Sequence, residues 1–194
     1  MTVLPAPTDP SARRAPLAAF VAAGAAGAIL LAIALWAVVF LQAGALAAPY
    51  APRVADGYLE QPVALDSGTP AIVNLDPALA AAIRQAADAA AADGVRFEVT
   101  SGWRTTQYQQ WLLEDAVRKY GSAEVALQWV APPDRSHHVT GDAVDIGPLD
   151  AQSWLIAHGS EWGLCQIYGN ERWHFELATT PGGQCPALVE NAAG

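Results

Sequence analysis

The sequence predicts an α+β domain built on a small, mostly antiparallel sheet flanked by helices, preceded by one N-terminal transmembrane helix. Three observations carry this. Residues 17–41 form one long apolar run without a charge. Beyond residue 70, segments with apolar residues at helical spacing are mixed with short segments in which apolar and polar side chains alternate. The two kinds follow one another without a regular strand–helix–strand rhythm, which argues against a parallel α/β sheet.

Residues 1–16 read as a short cytoplasmic tail. Leu17 to Leu41 is almost unbroken in Ala, Val, Leu, Ile and Phe, and no charge occurs between Ala15 and Pro52. A helix of these 25 residues is about 37 Å long, enough to cross a hydrocarbon core of about 30 Å with some tilt. Arg13 and Arg14 precede the run, and such a basic pair stays in the cytoplasm. The expected location is therefore the cytoplasmic membrane, single-pass, with the C-terminal part outside. The competing reading is a signal peptide. Ala45-Leu46-Ala47 has the small-x-small form of a cleavage site, and cleavage after Ala47 yields a secreted protein. Residues 42–69, rich in Ala, Pro and Gly, read as a linker, and residues 70–194 as the folded domain.

Within that domain, Asp76-Pro77 is a helix start, a capping residue followed by proline at the first helical position. Leu79, Ile83, Ala86 and Ala90 recur at helical spacing, and Gly94 is the stop. In residues 95–101, Val95, Phe97 and Val99 alternate with Arg96 and Glu98, the pattern of a strand with one buried face. Thr105 or Thr106 caps a helix through about Tyr120, with Tyr108, Trp111 and Leu112 on one side. Ser122 starts a shorter helix that ends before Pro132-Pro133. A loop then carries two adjacent histidines, a strand covers 142–147, and Asp150 caps a helix through about His158. Strands over 164–168 and 172–177 complete the sheet.

Cys165 and Cys185 are the chain's two cysteines. In an exported domain an isolated pair reads as a disulfide, and closing a loop of about 20 residues contributes roughly 3 kcal/mol on the chain-entropy model. Two thiolate metal ligands are the alternative. The net charge of −9 argues against nucleic acid or anionic lipid as a partner.

Three stretches carry chemistry. In "GDAVDIG" the strand period puts Val144 and Ile146 on one face and Ala143 and Asp145 on the other, so Asp145 faces away from the core. In "NERWHFEL" the residues Trp173, Phe175 and Leu177 alternate with His174 and Glu176, again a strand with one core face. Glu171 and His174 reach one centre only if the chain bends at Gly169-Asn170-Glu171, a turn-favouring stretch. In "SGWRTTQYQ", Arg104 follows a strand end where a helix begins. Taken singly, each of these residues has an ordinary structural reading, and His158 has only that one. Together, His, Asp and His near strand ends can form a three-ligand zinc site with an open fourth position, and Glu171 suits the base beside it. No HExxH and no Gly-x-Ser-x-Gly occurs, which removes a thermolysin-like helix site and weakens a serine hydrolase.

"SGWRTTQYQ", "SHHVTGDAVD" and "ERWH", in that order, resemble the VanY-like D-alanyl-D-alanine carboxypeptidases, zinc peptidases that share the Hedgehog/DD-peptidase fold. The resemblance runs from about Val99 to Leu177. Ser136, His138, Gly141, Ala143 and Asp145 match the family pattern Ser-x-His-x-x-Gly-x-Ala-x-Asp, and Glu171, Trp173 and His174 match Glu-x-Trp-His. It implies His138, Asp145 and His174 as Zn2+ ligands and Glu171 as general base. Arg104 would bind substrate and hold the charge developing on the attacked carbonyl, while Gln109 and Ser136 would line the substrate site. The implied substrate is a peptidoglycan stem peptide ending in D-Ala-D-Ala, trimmed of its last residue. A D-Ala-D-Ala dipeptidase and a peptidoglycan endopeptidase on the same scaffold are the enzymatic alternatives. A non-catalytic cell-wall-binding module is the alternative of another class. His137 stands where the family often has Glu, and Arg172 where it often has Pro; of the two histidines, the pattern assigns the metal to His138.

Overall fold

A computed structural model describes residues 33–35 and 49–193 of the chain. Apart from residues 33–35, which are helical, the expected membrane span lies outside the described residues. Among the described residues no helix is long and apolar enough to cross a membrane.

A compact unit runs from Tyr50 onward. Part of the stretch expected as linker is folded onto it, which corrects the boundary at residue 70. Val54–Asp56 form a 3-10 turn, and Val63 exchanges two backbone hydrogen bonds with Val99, at 3.0 and 2.7 Å. Leu59, Val63 and Leu65 pack against the core. These three apolar side chains give the segment something to bury, which its Ala/Pro/Gly-rich composition obscured.

Helix α1 (Pro70–Val73) is a single turn, and α2 (Pro77–Ala92) is the long core helix. The Asp76 carboxylate accepts from the N–H groups of Ala78 and Leu79 at 2.8 and 3.1 Å, satisfying two donors that the first turn leaves free. The inward stripe is Leu79, Ala80, Ile83, Ala86 and Ala90, and its small side chains let the helix lie close against the sheet. At the C-terminus, Gly94 N–H donates to Ala91 and Val95 N–H to Ala90, a Schellman closure.

The sheet has four strands in the order β1 (Glu98–Ser101), β2 (Ala143–Gly147), β4 (His174–Leu177) and β3 (Leu164–Gln166), every neighbouring pair antiparallel. The α+β expectation with a small antiparallel sheet therefore holds. The first strand is shorter than expected. Pairing begins at Glu98 opposite Gly147, and the residue after β2 is Pro148, which has no N–H to offer, so residues 95–97 find no ladder partner.

Helices α3 (Thr106–Tyr120) and α4 (Ala123–Leu127) start as expected, with the hydroxyls of Thr105 and Ser122 accepting from Tyr108 and Val125 N–H. Two assignments change. His137–Thr140, read as loop, form a short helix, α5, closed by Gly141. Helix α6 (Leu149–His158) begins one residue before Asp150 and is capped from Pro148, whose carbonyl accepts from Gln152 N–H at 3.1 Å. The core gathers Ile72, Leu79, Ile83, Val99, Val144, Ile146, Leu155 and Phe175 between α2, α6 and one face of the sheet. A disulfide joins Cys165 on β3 to Cys185, with Cα atoms 5.7 Å apart, so these residues are not thiolate ligands.

Candidate metal centre and active site

The site lies on the sheet face opposite the core. Strand β2 is buried along its whole length, with Val144 and Ile146 in the core and Asp145 projecting to the other side. Register places His174 of β4 directly opposite Asp145, so two side chains 29 positions apart in sequence meet as a cross-strand pair. The third comes from α5, where Gly141 turns the chain into β2 and leaves His138 beside them. His138, Asp145 and His174 each offer a ligand atom, and these atoms lie within 4.8 Å of one another.

The hydrogen bonds set how each imidazole is presented. His138 Nδ1 lies 2.8 Å from the carbonyl of Gly102, so it carries the proton and donates, leaving the Nε2 lone pair toward Asp145 Oδ1 at 3.3 Å. His174 Nε2 lies 2.8 Å from Glu176 Oε1, which leaves its Nδ1 toward Asp145 Oδ1 at 3.2 Å. Two oriented imidazoles and a carboxylate, each anchored from behind, form the donor set and outer shell that zinc prefers.

Electrostatics agree with a cation in this centre. Burial, with Arg104 nearby, lowers the His138 pKa to about 4, so its imidazole is neutral at neutral pH. Its Nε2 lone pair then lies 3.3 Å from Asp145 Oδ1, an arrangement that a bound cation would relieve. Burial opposes ionisation of Asp145, but His138 and His174, both protonated at the acid pH where this carboxyl titrates, outweigh it and hold the carboxyl well below the usual range. For His174 burial also favours the neutral form, yet hydrogen bonds to Asp145 and Glu176 raise its pKa to about 9. In the absence of a metal, His174 therefore carries the cationic charge of the centre.

The expected bend occurs. Glu171 N–H donates to Tyr168 and His174 N–H to Glu171, so the chain turns between β3 and β4. Glu171 Oε2 comes within 3.9 Å of His174 Nδ1, while Oε1 is buried with no hydrogen-bond partner. Burial raises this carboxyl to about 7.

Arg104 anchors the other flank. Its Nη2 donates to Asp145 Oδ2 at 3.1 Å, Nη1 to Gln109 Oε1 at 3.0 Å and Nε to Ser101 Oγ at 2.8 Å. Of the five N–H groups of a guanidinium, one on each terminal nitrogen remains available. Gln109 is fully buried, and its Nε2 donates to Ala131 at 2.8 Å. Both ends of that amide are thus engaged within the protein, and it holds Arg104 as well as lining the cleft. Ser136 is buried and also lines the cleft, without capping α5. The cleft encloses about 160 Å³, and its wall includes Arg104, His138, Tyr168, Glu171, Trp173 and His174.

The structure thus brings every expected site residue to one cleft. It changes two residues expected in the core with Phe175: Trp173 lies in the turn before β4 and faces the cleft, and Leu177 is exposed. It also adds one. Glu176 is buried and bridges His174 to His137, whose Nδ1 is 2.6 Å from Glu176 Oε2. The strand period carries this signal, since residues two apart on a strand share a face and Glu176 follows His174 by two.

A three-donor centre beside a buried carboxylate with one unpartnered oxygen, in a cleft bounded by a fixed guanidinium, is the arrangement of a metal-dependent hydrolase. The chain belongs to the VanY D-alanyl-D-alanine carboxypeptidase family, whose profile matches residues 73–179. A D-alanyl-D-alanine carboxypeptidase of Enterococcus faecalis (strain ATCC 700802 / V583) is 34% identical, the match covering 45% of this chain and 42% of that relative. Among solved structures, the vancomycin-resistance D,D-pentapeptidase VanY of a VanB-type cassette, in complex with Zn(II), is 29% identical with a TM-score of 0.51, over 61% of this chain and 79% of that one. VanYB in complex with D-alanine-D-alanine is 28% identical with a TM-score of 0.51, over 61% and 77%.

Proposed function

We propose that this chain is a zinc-dependent D-alanyl-D-alanine carboxypeptidase that removes the terminal D-Ala from peptidoglycan stem peptides. The observation that carries the reading is the partnerless, buried Glu171 oxygen beside the convergent His138–Asp145–His174 donors. Family membership and the Zn(II) and D-alanine-D-alanine complexes of the solved relatives support it.

Zinc held by His138 Nε2, Asp145 and His174 Nδ1 would supply a Lewis acid and lower the pKa of a water. Glu171, kept from full ionisation by burial, takes the proton of the attacking water and returns it to the leaving amine. Arg104, immobilised by Asp145, Gln109 and Ser101, directs its remaining N–H groups at the carbonyl oxygen as charge develops there. Glu176 keeps the proton on His174 Nε2, so that Nδ1 stays toward the centre.

We further propose that the domain works outside the cytoplasmic membrane, carried there by the apolar run at 17–41. The Cys165–Cys185 disulfide supports an oxidising compartment. The test is metal content and product analysis on a pentapeptide stem. Free D-Ala is expected, released dipeptide or an internal cut points to the dipeptidase or endopeptidase, and zinc-free, inert protein would sink the proposal.

A further inference from the structure

The turn that carries Glu171 is held from outside the family domain. Beyond residue 179, where the family profile ends, the chain returns along this turn. Val189 N–H donates to the carbonyl of Ile167 at 2.9 Å, and Gly169 N–H donates to the carbonyl of Val189 at 2.8 Å, a short parallel pairing beside Tyr168. On the other side of the turn, Asn170 Nδ2 donates to Gln128 at 2.7 Å. Farther on, Ala192 lines the catalytic cleft and Arg135 donates to the carbonyl of Ala193 at 3.0 Å.

Apolar burial does not hold this segment, because Leu188 and Val189 are 54% and 38% exposed. A few hydrogen bonds near the surface, each contributing about 1 kcal/mol, do not by themselves fix a chain of this length against its conformational entropy. The strong tie is covalent: Cys185 bonds to Cys165 at the centre of β3, two residues before Ile167. The bond keeps the segment at high local concentration beside the turn, so that the weak hydrogen bonds form.

We propose that the disulfide-tied segment Cys185–Val189 is a positioning strut for the Glu171 turn, and that Val189 is its contact residue. The proposal rests on the assignment of Glu171 as base. Without the strut, Tyr168–Glu171 would keep its link to Gln128 but lose the pairing on its outer side. The three metal donors lie on α5, β2 and β4 and would be unaffected.

The experiment compares the full chain with Cys165→Ser/Cys185→Ser and, as a variant that keeps the disulfide, Val189→Pro, which removes the N–H given to Ile167. Zinc content, amide exchange at Gly169 and steady-state kinetics are measured on all three. Both variants should bind zinc as the parent does, exchange the Gly169 amide faster, and lose kcat roughly 10-fold or more, in line with the cost of misplacing a catalytic group. Unchanged protection of Gly169 in Val189→Pro overturns the strut. So does lost protection with unchanged kcat. An inactive parent chain instead counts against the carboxypeptidase reading, and the exchange arm then still decides whether the segment holds the turn.

Discussion

The proposed mechanism gives each residue of the centre a separable task, and that makes the assignments testable one at a time. Glu171→Ala should retain zinc and lose turnover by about 10²- to 10⁴-fold, the usual contribution of a positioned base; persistence of activity would remove Glu171 from the mechanism. His138→Ala should abolish stoichiometric zinc binding, whereas His137→Ala should leave zinc bound, because His137 reaches the centre only through Glu176. Glu176→Ala leaves His174 Nε2 without its partner and should weaken zinc affinity by about 10- to 100-fold, read by chelator competition. The pH behaviour follows from two groups. Zinc must displace the proton held on His174 in the metal-free protein, whose pKa is about 9, so apparent affinity should rise as pH increases toward that value. Calorimetry in two buffers of different ionisation enthalpy would detect the released proton. As the proposed base, Glu171 would act only when ionised, and burial raises its carboxyl to about 7. Since a bound cation favours the carboxylate, kcat/KM should fall on acidification with an apparent pKa at or below about 7.

Among the elements, the short helix α5 depends most on one backbone position. Gly141 closes it at φ +85° and passes so close to α1's end that an added Cβ would lie 2.5 Å from the Asn74 carbonyl oxygen. Gly121, which closes α3 at φ +69°, has open space around it. Gly121→Ala should therefore cost only the left-handed conformation, about 1–2 kcal/mol, while Gly141→Ala should cost more and also weaken zinc binding by displacing His138. Equal shifts in urea midpoint for the two would contradict the close-packing argument. The same element shows why sequence reading stopped short. Residues 137–140 hold two histidines and no apolar period, so nothing in them announces a helix turn; packing against Asn74–Asp76 and the Gly141–Asp76 hydrogen bond select it. By contrast α2 was legible throughout, because its Asp-Pro start, its Leu/Ile/Ala stripe and its Gly stop all agree.

At the scale of the whole molecule, the compact unit begins at Tyr50. A fragment starting at Ala48 should unfold in one cooperative transition. One starting at Pro70 should be less stable by roughly 2–5 kcal/mol, because Leu59, Val63 and Leu65 leave the core and Val99 loses its pairing with Val63; equal stability of the two would return residues 50–69 to the role of linker. The sequence by itself determined the class of fold, the long helix, the central strand with Asp145 turned away from Val144 and Ile146, and the histidines and acids worth attention, since these follow from periodicity and residue chemistry within a few neighbours. Only the tertiary structure decided what those residues do together. The register of β2 on β4 sets Asp145 against His174, Gly102 fixes the His138 tautomer from 36 positions away, and Glu176 fixes that of His174. The physical reason is that a tautomer, a pKa and a ligand angle are set by neighbours in space, and at this centre those neighbours come from four separate segments of the chain.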